Sequence, residues 1–143
     1  MSLAAEGWIN KGKKQVREGE VKEALTAYDK AQKIDPPTWK ISAESWNTLC
    51  RDGSLHKEAA AVMDACEKAV ALAPENGGFR DSRGIARALT GDNNGAIEDF
   101  QAFIEWADSE RDEEEIKQRQ GWIDALKAEK NPFTEEEIDK LLR

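Results

Sequence analysis

The residues of this 143-residue chain with the clearest chemical potential are few: one histidine, two cysteines and two clusters of acidic or amide side chains. His56 would need a positioned carboxylate or nucleophile to act as a general base, and no local motif supplies one. It reads as a surface histidine in the first turn of a helix. Cys50 and Cys66 form no C-x-x-C, and zinc wants four ligands at short spacing. Both fall on packing faces and read as small hydrophobes in a reducing interior, with a redox or ligand role as the alternative. The stretch GDNNGAIED (91–99) suggests a calcium loop. Ala96 and Ile97 interrupt the oxygen ligands that such a loop needs, so a helix-to-helix turn fits better. The acidic run Asp112–Glu115 reads as a solvated helix start, and the glycines at 77, 78 and 121 lack a phosphate-loop pattern. No catalytic, metal or cofactor residue is assigned, and the chain reads as a non-enzyme.

The net charge of -8 argues against a nucleic-acid binder, which needs a basic footprint. No apolar run approaches the roughly 20 residues that span a bilayer. No signal peptide is visible either, so a cytoplasmic location is expected. The Met-Ser-Leu start fits a module cut from a longer protein.

Apolar residues recur with helical period nearly throughout: Val21, Ala24, Leu25, Tyr28 and Ala31; Leu55, Ala59, Val62, Met63, Cys66, Ala69 and Val70; Ala96, Ile97, Phe100, Phe103 and Ile104. Gly19, Gly53 and Gly91 sit between helical segments, where a left-handed cap or tight turn favours glycine. Pro36-Pro37, Pro74 and Asn131-Pro132 close others. Helices are expected over 4–18, 20–34, 42–52, 55–72, 77–90, 93–107, 110–129 and 135–142, with no sheet.

One skeleton recurs. Gly19, Ala24 and Tyr28 reappear 72 residues later as Gly91, Ala96 and Phe100. A small residue lets a paired helix approach, and an aromatic one turn later fills the gap. Such a pattern marks stacked helical hairpins. It resembles the tetratricopeptide repeat family, with a unit of about 34 residues. The first repeat (about 5–38) carries Trp8, Gly12, Ala24, Tyr28, Ala31 and Pro36, departing at Lys11 and Gln15. The second (about 43–76) carries Trp46, Leu49, Ala69 and Pro74, with Gly53 about one turn early and Cys66 where an aromatic is usual. The third (about 77–108) carries Gly84, Ala86, Gly91, Ala96 and Phe100, with Arg80 replacing the Trp. The resemblance implies one all-α domain over 1–143, a right-handed solenoid of three hairpins. A capping helix and a short final helix follow over about 110–143. Thr134-x-x-Glu137 is a capping box opening that last helix. The tail QGWIDALKAEKNPFT is similar to the end of such modules in larger bacterial regulatory proteins.

In this family the first helix of each pair lines a concave groove that commonly holds a partner's peptide or tail. The resemblance implies a protein-binding groove from Ile9, Asn10, Lys13 and Arg17, with Asn47, Thr48 and Arg51, and with Asp81, Ser82 and Ile85. The first-helix segments carry four basic and two acidic, two of each, and three basic and one acidic side chains, against -8 for the whole chain. That excess favours an acidic partner segment, unless Lys11, Lys14, Arg83 and Arg87 point elsewhere. The family's chaperone-tail clamp is missing, since Ile9, Lys13, Thr48, Gly78 and Ser82 stand at its positions. Trp8, Trp46 and Trp122 read as packing residues, and Trp39 and Trp106 as candidates for exposure and binding. A structural, self-associating module is the second expectation.

Overall fold

Each of the first helices has a simple origin. Ala5, Ile9 and Val16 recur on one face of the first helix and are all buried. In the computed structural model, which describes residues 3–34 and 40–143, this helix is α1, Leu3–Arg17. There follow α2 (Val21–Ile34), α3 (Ala43–Gly53), α4 (Ala59–Leu72), α5 (Gly77–Leu89), α6 (Asn93–Trp106), α7 (Glu113–Lys127) and α8 (Glu135–Leu142). The described residues are all-α, with no strand. Expected and observed helices agree closely. The largest departure is α4, whose start falls at Ala59 rather than at 55. Pro36, Pro37 and Trp39 lie outside the described residues.

Side chains set the helix starts. Ser42 Oγ accepts from the Ser45 N–H, Asn76 Oδ1 from Phe79 and Asp92 Oδ1 from Gly95. Thr134 Oγ1 accepts from the Glu137 N–H. The return half of the expected capping box is not made, because the Glu137 carboxylate accepts instead from Gln118 on α7.

Three helices end in the same cap. The N–H of Glu20, Asp92 and Lys130 donates to the carbonyl of Gln15, Arg87 and Ala125 respectively, at 2.8 Å each. The residue before each donor is left-handed: Gly19 (φ 84), Gly91 (φ 93) and Glu129 (φ 59). Only the third carries a Cβ against this conformation. Glu129→Gly is therefore expected to stabilise the fold by about 0.5–1 kcal/mol, since glycine bears little penalty there. Thermal unfolding should shift upward by about 2–4 °C per kcal/mol for a chain of this size. A lower midpoint would contradict this.

Gly53 corrects one expectation. It is helical (φ -62) and buried, and a Cβ there would lie 2.6 Å from Val62 Cγ1. Its role is close packing of α3 on α4. The left-handed residue of the joining turn, Ser54–Glu58, is Lys57 (φ 70).

Helix α1 packs on α2, α3 on α4 and α5 on α6; α1 also meets α3, α3 meets α5, and α7 packs on α6. One apolar cluster joins the first two pairs around Ile9, Tyr28, Trp46 and Leu49. A second joins the third pair to the C-terminal segment around Ile85, Phe100, Trp122, Phe133 and Ile138. A third, smaller cluster holds Cys50 and Ala86 with Ala59 and Cys66 of α4.

The pairs share one contact. A Cβ on Gly12 would lie 2.7 Å from the Tyr28 ring, and a Cβ on Gly84 would lie 2.7 Å from the Phe100 ring. Both pairs are 16 residues apart. Cys50 and Cys66, also 16 apart, are joined by a disulfide. The expectation of two free, packing cysteines is thus overturned. The hairpin brings the two Cα atoms to 4.8 Å, within the range a disulfide spans.

Candidate partner-binding cleft

Helix α1 presents Glu6, Ile9, Asn10 and Lys13 on one face, by the i, i+3, i+4, i+7 rule. Opposite stand Lys40, Ile41, Ser42 and Ser45, from the approach to α3 and its first turn. Together they line an open cleft of about 290 Å³. Ile9 and Ile41 are buried and form its apolar part, while Asn10 and Lys40 are exposed and Lys13 is half-buried. The far wall is held in place from behind. Tyr28 Oη donates to the Ser45 carbonyl at 2.6 Å, and Ser42 Oγ donates to Ser45 Oγ at 3.0 Å. Burial pushes the Tyr28 hydroxyl well above its ordinary pKa, so it stays a donor. The cleft thus offers an apolar strip, hydroxyl groups, two ammonium groups and one carboxylate. That set suits an amphipathic peptide segment with acidic side chains.

The other expected groove residues divide. Arg17 is exposed, and its carbonyl lies 3.2 Å from His56 Nε2, so the lone histidine bridges the first two helix pairs. Thr48 Oγ1 donates to the Glu44 carbonyl. Asn47 Oδ1 is buried without a hydrogen-bond partner among the described residues. Arg51 donates to the Leu141 carbonyl at 3.0 Å, capping the C-terminal end of α8. The third helix pair contributes no open side chain from this set. Asp81, Ser82 and Ile85 are all buried. Asp81 makes a two-pronged pair with Arg119 of α7: Arg119 Nε donates at 3.0 Å and Nη2 at 2.6 Å. Burial raises the pKa of the Asp81 carboxyl, and Arg119 pulls it back. Ser82 donates to the Gly78 carbonyl.

The basic excess expected for the groove is largely spent elsewhere. Arg80, Arg83 and Arg87 all turn to Asp99 of α6, and Arg83 and Arg87 also meet Glu67 of α4. Sequence reasoning missed the contribution of Lys40, Ile41, Ser42 and Ser45. The available signal was the Ser42 cap, which sets the start of α3 directly after Lys40 and Ile41.

The tryptophans separate as well. Trp46 and Trp122 are buried. Trp8 packs against the first cluster with Lys30 and Lys11 over its ring, at 4.5 and 5.2 Å. Trp106 is 51% exposed. A Cβ on Gly77 would lie 2.6 Å from Trp106, so that glycine lets the indole lie against α5.

The acidic helix α8 rests on the turn after α3, where Lys57 Nζ donates to Glu135 Oε1 at 2.9 Å. The hydrogen bond and charge of Lys57 lower the pKa of the Glu135 carboxyl. A depressed folded-state pKa stabilises above the unfolded value and loses that contribution as pH falls through the folded value. NMR titration should therefore give a Glu135 midpoint below the ordinary glutamate value of about 4.3, returning upward in Lys57→Ala. Equal midpoints in the two proteins would contradict the pairing.

Among the described residues, no group of three or more His, Cys, Asp or Glu could hold a metal ion. No helix among the described residues is long and apolar enough to cross a membrane. The chain matches no protein-family model, and no curated protein matches it.

Proposed function

We propose that this chain is a tetratricopeptide-type repeat module, a solenoid of three helix pairs that holds an acidic segment of a partner protein in the α1–α3 cleft. The observation that carries this reading is the cleft itself. Its apolar strip is flanked by Lys13 and Lys40 on walls held by the Tyr28–Ser45 hydrogen bond. The repeat architecture is supported by the pairing order of the helices and by one contact recurring at a separation of 16 in all three pairs. Recognition is non-catalytic. A preformed surface keeps the ordering cost low, and charge supplies selectivity. The disulfide favours a compartment where such bonds persist over the cytoplasm expected from the sequence.

The test is a fluorescence binding screen with matched acidic and basic peptide libraries. Acidic amphipathic peptides should bind, and Lys13→Glu/Lys40→Glu should weaken them by about tenfold or more. Arg51 is left intact because it caps α8. Preference for basic peptides, or indifference to the double substitution, would sink the reading.

A second reading, self-association, is favoured by a separate observation. Ile34, Leu72 and Trp106 are the last residues of α2, α4 and α6, and they are 43%, 54% and 51% exposed. An apolar residue repeated at equivalent helix ends would suit a second copy of the chain. A mass that rises with concentration, and returns to monomer in Leu72→Lys/Trp106→Lys, would establish it.

A further inference from the structure

The three helix pairs make one contact by two different chemistries. In the first and third, a ring lies against a glycine: Tyr28 on Gly12, and Phe100 on Gly84. Nothing in those contacts responds to oxidation or reduction. In the middle pair the equivalent positions are Cys50 and Cys66, and a covalent bond replaces the ring. Their neighbours there are small: Ala59 and Ala86, with Met63 and Leu89 at the margin.

We propose that the Cys50–Cys66 disulfide is a redox-sensitive fastener of α3 on α4, so that its reduction loosens the middle helix pair and leaves the other two intact. Reduction by a dithiol breaks the S–S bond. Each cysteine sulfur gains one electron and one proton, and the dithiol, losing two of each, closes its own disulfide. Two thiols must then stand at van der Waals separation in a close-packed interior, with no ring to fill the contact.

A second observation makes this pair the one that yields. Its turn runs through Lys57 at φ 70, a conformation disfavoured for a residue with a side chain. The turns of the first and third pairs use glycine at the left-handed position, Gly19 and Gly91. Opening α3 from α4 lets Lys57 relax, whereas the other pairs have no such strain to release. Both cysteines are fully buried, so exchange with a reductant proceeds through that same opening. Because α3 supplies Ser45 to the cleft and Arg51 to the end of α8, loosening it disturbs both.

The experiment is amide hydrogen exchange of the whole chain, read by mass spectrometry in air-oxidised and dithiothreitol-reduced protein. Reduction should raise exchange in α3 and α4 by about tenfold or more, with changes of less than about threefold in α1, α2, α5 and α6. Cys50→Gly/Cys66→Phe rebuilds the glycine–ring contact and should keep its protection with or without reductant. Cys50→Ala/Cys66→Ala, lacking both devices, should show the reduced pattern in oxidising buffer. Unchanged exchange on reduction, an equal rise in all three pairs, or alanine variants protected like the oxidised protein would overturn the proposal. So would air-oxidised protein whose intact mass and thiol count show two free cysteines.

Discussion

Asp99→Ala is expected to cost about 3 kcal/mol of folding stability, the lower end of the range for breaking a buried charge pair from one side. Asp99 has no exposed surface, and three arginines share its carboxylate. Oδ1 accepts from Arg80 Nε at 3.2 Å and Arg83 Nη2 at 2.8 Å; Oδ2 accepts from Arg83 Nε at 2.9 Å and Arg87 Nη1 at 3.1 Å. Removing it leaves three guanidinium groups of α5 gathered at one place without the α6 carboxylate they share. The lower end applies because the side chains of Arg80 (31% exposed) and Arg87 (21%) can turn to water, and Glu67 remains beside Arg83. Asp99→Asn keeps the volume but sets an amide donor against donors, so it should lose most of the same energy. Urea unfolding of both variants checks this: the midpoint should fall with little change in slope. A loss below about 1 kcal/mol, the range of surface ion pairs, would show that the cluster is no more than solvated charge.

Phe100→Ala is expected to cost about 3–5 kcal/mol, as large-to-small changes of buried aromatics do. The ring is fully buried and fills the space that Gly84 leaves. It also lies 5.2 Å from the Trp122 ring and 6.3 Å from the Phe133 ring, in tilted contacts. One side chain therefore joins α5, α6, α7 and the approach to α8. Its truncation should loosen the C-terminal segment as well as the third pair. Gly84→Val tests the other half of the contact. A branched side chain cannot share space with a ring 2.7 Å from the nearest Cβ position, so overpacking should cost about 1–3 kcal/mol. Calorimetry on both variants decides the matter. If Gly84→Val is neutral, the ring is free to move aside and the glycine is not what seats it.

Much of the fold was legible because helices advertise themselves locally. Among the described residues, apolar residues at helical spacing and glycines at helix ends set seven of the eight α-helices closely, and Gly19 and Gly91 have the expected left-handed conformation. Gly53 misled because the glycine there serves close packing, while a lysine takes the strained position of the turn. The disulfide was hidden for a related reason. Its partners are recognised by register across a hairpin, and the register was already written in Gly12–Tyr28 and Gly84–Phe100. The same offset places Arg83 beside Asp99, so the fate of the α5 arginines could have been read the same way. The site was less legible. Ile9, Asn10 and Lys13 do line a cleft, but its other wall comes from Lys40 to Ser45. Asp81, Ser82 and Ile85 are buried, and Arg119 of α7 claims the Asp81 carboxylate. Which face a C-terminal segment folds back on depends on contacts far apart in the chain, such as Arg51 with Leu141, and no local periodicity encodes them.

Binding of an acidic segment in the α1–α3 cleft is tested most directly by NMR chemical-shift mapping of the chain with the tightest-binding acidic peptide from the screen. Perturbations should concentrate at Glu6, Ile9, Asn10, Lys13, Lys40 and Ser45, and should vanish in Lys13→Glu/Lys40→Glu. Perturbations centred on Ile34, Leu72 and Trp106 instead, with the α1–α3 cleft silent, would contradict it.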